Sequence, residues 1–312
     1  MNVVSSLSPL VGMAVVGLVL TVGSFAAVVM SHVVFRIVAH QHQDIVASLG
    51  RPQHRLGLLL RQQVVRTERP DTVTWVLAPA AYLGLAAAAL TVVPLSEGVV
   101  VADVRTGIVV FGAAEALAIV AIFLHGWSPN SPFALVAGYR FVAVALSYEL
   151  LSMFVLIGAA IPAQSMSIGA IVRSQAGLWN VVRQPLGLPL FLIVALGVTF
   201  RGPLDLVDSA DLAGGGSVED SGLQRLAWTV ARHAMLVVFA AAAAAVFLGG
   251  WQGPLLPGEV WMGLKTLAVL AVLVTLDTRT ARVAPERFVK IAWSVLLPLA
   301  FVDLIVAGVG SL

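Results

Sequence analysis

Cysteine is absent from this sequence of 312 residues. The absence excludes disulfide bonds, thiolate metal ligation and iron–sulfur ligation by this chain. Its six histidines are scattered, without carboxylates at helical spacing, so we expect no metal site. Signatures of phosphate-binding loops, nucleophile elbows and zinc-binding helices are also missing. We therefore expect that the chain breaks no covalent bond by itself and binds no cofactor covalently, and that any electrons are carried by partners or by a diffusible cofactor.

Charged residues are scarce, at 11% of the chain, whereas soluble domains contain about 25%. Hydrophobic residues make up 59% and stand in long apolar runs, which predict an all-α polytopic membrane protein that forms one integral membrane domain over residues 1–312. Each expected span is long enough to cross about 30 Å of hydrocarbon at about 1.5 Å per residue. The eight spans are expected at about 9–34, 73–95, 104–125, 133–161, 180–200, 226–248, 259–277 and 288–309.

Basic residues are concentrated in the odd-numbered loops between these spans. Since cytoplasmic loops carry the excess of lysine and arginine, these loops are predicted to be cytoplasmic, with both termini outside. The first span has no basic residue before it and exceeds the length of a signal-peptide core, so we expect it to be retained. The net charge of +2 gives no indication of a nucleic acid partner, because the basic residues are spread among loops. Twelve basic residues lie in odd-numbered loops (Arg36, Arg51, Arg55, Arg61, Arg66, Arg69, Arg201, Arg225, Arg279, Arg282, Arg287 and Lys290) and three in even-numbered ones (Arg105, Arg173 and Arg183).

The first loop contains the stretch RLGLLLRQQVVR, residues 55–66, in which leucines and valines alternate with arginines. This pattern is typical of an amphipathic helix that lies in the plane of the membrane interface, in contact with the lipid bilayer. A basic segment that only determines the topology is an equally open interpretation.

Carboxylates are concentrated in residues 197–222, directly after an apolar run. This stretch contains five acids, a single arginine, Arg201, and no lysine. Three of the acids, Asp205, Asp208 and Asp211, recur at every third position. Closely spaced carboxylates can share a proton, and one arginine beside them can hold an ionised acid. Residues of about 201–225 are therefore predicted to form an acidic cytoplasmic loop.

Ionisable side chains within the spans are hypotheses of function, because a charge at the bilayer centre costs about 2.5–3.5 kcal/mol or more. Glu149 lies mid-span beside Ser147 and Tyr148. Two roles are open for its carboxyl group: it exchanges protons, or it makes an interhelical hydrogen bond that only holds the packing. For Glu115 a functional and a structural role are both open. The remaining candidates are the Arg232–His233 pair, Lys265 near a span end, Asp303 as a structural residue that reaches the surface by span tilt, and His32 and His125 as interfacial residues.

Five stretches in order resemble the H subunit of bacterial NADH:quinone oxidoreductase (complex I), a family that also supplies the anchor subunit of membrane-bound nickel–iron hydrogenases. The stretch SYELL, residues 147–151, is similar to the family's Ser-Tyr-Glu-Leu-Pro, with Leu151 in place of the proline. The others are GWSPNSPFALVAGYR at 126–140, IVRSQAGLWNVVRQPLG at 171–187, FLGGWQGP at 247–254 and WSVLLPLA at 293–300. The resemblance covers most of the chain from about residue 50 onward.

The resemblance implies a non-catalytic membrane subunit of a redox-driven proton pump in a bacterial inner membrane. It would anchor a peripheral redox arm beside other membrane and peripheral subunits, and it would line a quinone site at that interface. RGPLDLVDSADL, residues 201–212, stands where the family has Arg-x-Pro-Phe-Asp-Leu followed by glutamates, and GRPQHRLG at 50–57 is similar to Gly-Pro-Asn-Arg-Val-Gly. The implied proton relay is Glu149, Asp205, Asp208, Asp211, Glu219 and Glu115; the implied quinone-cavity or charge-tuning residues are Arg55, Arg140, Arg201 and Arg282.

The chain also departs from the family pattern. Val198 stands where the family has a glutamate, and Val144 stands where it has a glutamine. These departures indicate a divergent member and leave three alternatives open. The chain could be the membrane anchor of a hydrogenase complex, a stand-alone proton-coupled transporter, or an assembly scaffold that has lost coupling. A transporter would often show an inverted repeat with broken helices, which the sequence does not display.

Overall fold

The computed structural model describes residues 8–38, 45–207 and 215–310, without the side chains of 45–52 and 206–207. Within these ranges the chain is helical, with one isolated bridge between Ser96 and Val99. The α-helices are α1 Pro9–Val38, α2 Ile45–Arg61, α3 Thr72–Thr91, α4 Gly107–Trp127, α5 Pro132–Ala160, α6 Ile168–Ser174, α7 Asn180–Arg183, α8 Gly187–Val198, α9 Gly222–Phe247, α10 Gly258–Arg279, α11 Pro285–Ile291 and α12 Leu297–Val309.

The described residues contain eight helical segments that are long and apolar enough to cross a membrane, as the sequence predicts. The last of them is Pro285–Val309, in which α11 and α12 are joined by a π-helical turn over Ala292–Leu296. Pro298 accounts for this wider turn, because proline has no N–H to bond the carbonyl four residues earlier. The prediction of a polytopic all-α membrane protein is confirmed.

The fifth span differs from its predicted bounds, 180–200. Residues Asn180–Arg183 form the separate short helix α7, and α8 begins only at Gly187. The break lies at Pro185, since the residue before a proline is disfavoured in the α-helical conformation; Gln184 has φ −135° and ψ 76°. Helix α8 is followed by a 3₁₀-helix, Gly202–Val207, and the span Gly187–Asp205 is largely covered by other helices rather than by lipid.

The amphipathic helix predicted in the first loop is present as α2, but it ends at Arg61 and not at Arg66. Beyond Arg61 the chain is held by the segment before α9 instead of by helical hydrogen bonds. The N–H of Val65 donates to Ser221 Oγ at 2.7 Å, and the N–H of Gly222 donates to Gln62 Oε1 at 3.3 Å. These long-range bonds, which no local pattern reveals, end the helix early.

Helix α9 lies at the centre of the bundle and packs against α1, α2, α3, α8 and α10. Its second half, residues 234–247, is buried throughout and includes six consecutive alanines, Ala240–Ala245. Small side chains let neighbouring helices approach closely, which is how membrane helices gain packing energy without a hydrophobic drive between them. The central position of α9 brings its polar first half beside α1, α2 and α10.

Candidate functional site

A cavity of about 980 Å³ opens between α1, α2, α3, α9 and α10. Its walls are mostly apolar; α1 contributes Val16 and Leu20, and α2 contributes Leu56 and Leu59. A cluster of polar lining residues comes from α9, α10 and the segment after α8: Arg201, Asp205, Arg232, His233 and Asp277. The cavity therefore suits an amphiphile with an apolar body and a polar head.

Asp277, near the end of α10, fixes the segment after α8 at this cavity. Its Oδ2 lies 2.9 Å from Arg201 Nη1, and its Oδ1 accepts a hydrogen bond of 2.7 Å from the N–H of Gly202. Gly202 has φ +58°, in the left-handed region, and an added Cβ would meet Thr280 Oγ1 at 3.0 Å and the backbone of Asp277 at 3.3 Å. A glycine is required here to let the two segments approach.

Arg232 joins α9 to the end of α8. Its guanidinium donates hydrogen bonds to the carbonyl of Phe200 at 2.8 Å and to that of Thr199 at 3.1 Å. Carbonyls at a helix C-terminus lack helical partners and carry partial negative charge, so a cation there is favourable. This arrangement keeps a positive charge at the polar end of the cavity.

Two buried carboxyl groups from adjacent helices lie together in the membrane interior. Glu115 of α4 is 2% exposed and Glu149 of α5 is 9% exposed. Ser152 Oγ, on the same face of α5 as Glu149, donates a 2.7 Å hydrogen bond to Glu115 Oε2. The two carboxyl groups also interact electrostatically. A pair of this kind in low dielectric shares protons as a unit.

Two buried tyrosines lie between this pair and the cavity. Tyr148 is fully buried and interacts electrostatically with Tyr82 and with both carboxyl groups. Tyr82 Oη donates a 2.7 Å hydrogen bond to the carbonyl of Val198. The next carbonyl, that of Thr199, accepts from Arg232. Tyr148 Oη has no hydrogen-bond partner among the described residues, so the hydrogen bonds of this path towards the cavity are only those of Tyr82 and Arg232 with the carbonyls at the end of α8.

A family model described as NADH dehydrogenase matches residues 55–308, which is most of the chain. The chain belongs to the NADH dehydrogenase family. A curated relative from Rhodopseudomonas palustris strain HaA2, described as H subunit 1 of an NADH-quinone oxidoreductase, is 34% identical over 251 residues, with 79% of each chain covered. The protein of the same description from strain BisB5 is likewise 34% identical over 251 residues, again with 79% of each chain covered. The family resemblance seen in the sequence motifs is thereby confirmed.

The predicted site residues of this NADH dehydrogenase family member fall into separate groups. Arg55, Arg201 and Asp205 line the cavity, and Arg282 reaches its edge through a 2.9 Å ion pair with Asp205. Glu115 and Glu149 form the buried pair. Asp208 and Asp211 lie outside the described residues, so their roles stay predictions.

The structure places two predicted residues away from both groups. Glu219 accepts a 2.7 Å hydrogen bond from Ser131, in the turn between α4 and α5. Arg140 is half-buried on α5 and precedes Glu149 by nine residues, about 13 Å along the helix axis. Neither is among the cavity-lining residues described. The two therefore have no geometric support for a role at the cavity.

The interfacial interpretation of His125 is wrong. Its ring is fully buried, with Nε2 2.9 Å from Asp220 Oδ2, and it stacks on Trp228 at 3.7 Å between ring centroids. Asp220 also accepts a 3.0 Å hydrogen bond from Trp75 Nε1. The cluster ties the segment before α9 to α3 and α4. Asp220 is one of the five acids of residues 197–222, but nothing in the sequence next to it points to His125.

Two other ionisable residues of the spans, Lys265 and Asp303, are buried in the protein. Lys265 Nζ donates hydrogen bonds of 2.6 Å to the carbonyls of Leu248 and Gln252 and lies 4.2 Å from the centre of the Trp179 ring. Lys265 thus holds the end of α9, where backbone carbonyls lack helical partners. Asp303 is buried beside Gly187, where α8 begins, and does not reach the surface as expected from span tilt.

Asp277→Ala is expected to lower the free energy of unfolding by about 3 kcal/mol, because it leaves the buried Arg201 without its charge partner and the N–H of Gly202 without an acceptor. Thermal and denaturant unfolding of the lipid-embedded chain would measure this loss. Asp103→Ala, at an exposed loop position, is the matched control and should leave unfolding unchanged. Equal stability of the two variants would show that the ion pair does not hold this segment.

Proposed function

We propose that this chain is the membrane subunit, equivalent to the H subunit of its relatives, of a complex I-like redox-driven proton pump. Family membership over residues 55–308 supports this proposal, as do relatives described as subunits of NADH-quinone oxidoreductase. These relatives favour the quinone-reducing branch over a hydrogenase anchor and over a stand-alone transporter. The chain anchors a peripheral redox arm through the first, fifth and seventh loops, with those loops on the cytoplasmic side and both termini outside.

The observation that carries the proposal is the cavity beside α1, α2 and α9. Its volume of about 980 Å³ is at the upper end of the range for small-molecule sites, about 300–1,000 Å³. An apolar lining with a polar end fits a quinone, whose isoprenoid tail is apolar and whose ring carries two keto oxygens. Arg201 is the donor best placed among the predicted residues to hold a keto oxygen, because its Nε is buried without a hydrogen-bond partner among the described residues.

Proton coupling is assigned to the buried carboxyl pair. Glu115 and Glu149 exchange protons, and the path through Tyr148, Tyr82 and the carbonyl of Val198 communicates the state of the cavity to them. A change of charge in the cavity alters the electric field along this path, which changes the protonation of the pair. Asp205, held by Arg282, contributes at the cavity edge.

Gentle purification of the chain from its native membrane, with identification of the co-purifying chains, tests membership of a complex. The proposal expects iron–sulfur and antiporter-like subunits. A partner with two Cys-x-x-Cys pairs that hold a nickel–iron centre would instead select the hydrogenase branch. Recovery of the chain alone, active in proton transport in liposomes, would favour the transporter.

Gly17→Trp is expected to weaken quinone binding by about tenfold or more, since the indole would occupy part of the cavity. Gly17 lines the cavity, and a Cβ added to it meets no atom within 4 Å, so the substitution does not overpack the protein. Gly84→Trp is the matched control, because Gly84 is equally open but is not among the lining residues. Binding of decylubiquinone to the chain in lipid nanodiscs, measured by calorimetry, distinguishes them. Equal affinities of the two variants for decylubiquinone would contradict quinone binding in this cavity.

A further inference from the structure

His233 has a defined hydrogen-bonding role in the wall of the cavity. Its Nδ1 lies 2.7 Å from the carbonyl oxygen of Thr229, one turn earlier on α9. A carbonyl oxygen can only accept, so Nδ1 carries the proton and donates. In a neutral ring, Nε2 then has a free lone pair and acts as an acceptor. No described residue bonds Nε2, and the ring lines the cavity.

The charges around His233 favour the neutral ring. Arg232 is its neighbour in sequence, and Arg201 and Arg55 line the same cavity. The carboxylates of the lining are already engaged: Asp277 pairs with Arg201 and Asp205 pairs with Arg282. A positive charge on the ring would be repelled by these three arginines, with no free carboxylate among the described lining residues to offset it. Among the described lining residues, His233 thus adds a neutral acceptor, Nε2, close in sequence to the Arg232 donor.

Arg201 provides the complementary donor. It is 8% exposed, and its Nε has no hydrogen-bond partner among the described residues, although its Nη1 is paired with Asp277. A buried donor without a partner is costly and is satisfied by an acceptor oxygen of a ligand. The donor Arg201 Nε and the acceptor His233 Nε2 thus belong to residues that line one cavity. A quinol has hydroxyl groups that can donate a hydrogen bond to the acceptor, whereas the keto oxygens of a quinone cannot donate.

We propose that His233 is a specificity-determining residue that makes the cavity hold the reduced quinol more tightly than the oxidised quinone. This inference rests on the proposed function. A quinol hydroxyl donates to Nε2 and accepts from Arg201. A quinone keto oxygen only accepts, so it leaves Nε2 unsatisfied and places a lone pair against it. Sites built to bond a hydroxyl reject analogues that lack it because their own buried polar group is then left unpaired.

The test measures the affinities of decylubiquinol and decylubiquinone for the full chain in lipid nanodiscs, by calorimetry under anaerobic conditions. For the unsubstituted chain we expect the quinol to bind about tenfold tighter than the quinone. His233→Phe keeps an aromatic ring but removes the acceptor, and it should abolish the difference by weakening quinol binding alone. His233→Gln places an amide oxygen near the position of Nε2 and should retain part of the preference. His54→Phe, at an exposed position of α2, is the control and should change neither affinity.

The outcomes separate this inference from the proposed function. Equal affinities for the two forms in the unsubstituted chain, or a His233→Phe variant that weakens both forms equally, would overturn the role of His233 and leave the quinone cavity standing. Failure of both forms to bind the unsubstituted chain would overturn both proposals. Thermal unfolding of each variant identifies any loss of the fold, and His233→Gln, which keeps the polar character of the site, then decides the question.

Discussion

Proton translocation by the assembled complex should fall to about one tenth of its value, or less, when Glu115 and Glu149 are both replaced by glutamine. Glutamine keeps the size of the side chain and can accept the hydrogen bond that Ser152 donates to Glu115. Assembly and quinone binding are therefore expected to persist. What the double variant loses is the pair's ability to bind and release a proton, because an amide does not titrate in the physiological range.

The measurement is acidification of proteoliposomes that contain the complex, driven by its own electron donor, with electron transfer recorded in parallel. Glu149→Gln alone should impair pumping less than the double variant, since Glu115 retains one titratable group in the pair. Glu97→Gln, at an exposed loop position, is the control. Undiminished pumping in the double variant would remove the carboxyl pair from the relay, and the polar path to the cavity would then be a packing feature only.

Gly126→Val is expected to destabilise the protein by about 1–3 kcal/mol through overpacking between α4 and α5. A Cβ at Gly126 would lie 2.7 Å from the carbonyl oxygen of Ala134 and 3.1 Å from the Cα of Gly138. Both neighbours are backbone atoms, which cannot move aside as a side-chain rotamer can. The two helices must then separate, which also weakens the hydrogen bond between Ser152 and Glu115 farther along the same interface.

Thermal unfolding of the lipid-embedded variant checks this expectation. Gly112→Val is the matched control, because Gly112 lies on the same helix and an added Cβ there meets no atom within 4 Å. The control should unfold at about the temperature of the unsubstituted protein. If the two variants unfolded at the same temperature, the close approach at Gly126 would not contribute to stability. Another contact would then have to account for the alignment of α4 with α5.

Divergence from the family pattern has uneven consequences for the site. Val198 lacks the carboxyl group expected at its position, yet its backbone carbonyl accepts the hydrogen bond from Tyr82. A backbone carbonyl is supplied by any residue, so this part of the path does not depend on the substitution. Val144 is buried in apolar surroundings on α5. The predicted residues Arg55, Arg201 and Asp205 do line the cavity. Further polar groups come from Arg232 and His233, which the sequence offered as candidates, and from Asp277, which it did not single out.

Two of the failed predictions share one cause, a partner that is distant in the sequence. The end of α2 at Arg61 depends on hydrogen bonds with Ser221 and Gly222, which are about 160 positions away in the sequence. The burial of His125 depends on Asp220, which belongs to a different segment. The start of α8 has a different, local cause. Pro185 is visible in the sequence and should have moved the predicted start of the fifth span to a position after it.

The sequence by itself determined the class of the protein, its eight spans and its family. Apolar runs and scarce charge leave the chain no stable place outside a bilayer, and backbone groups in a bilayer must be bonded within helices. Only the tertiary structure decided which polar groups meet: Glu115 with Ser152, Asp277 with Arg201, and Arg232 with the carbonyls at the end of α8. Hydropathy indicates which segments lie in the bilayer. The partners of a polar side chain depend instead on how the helices cross.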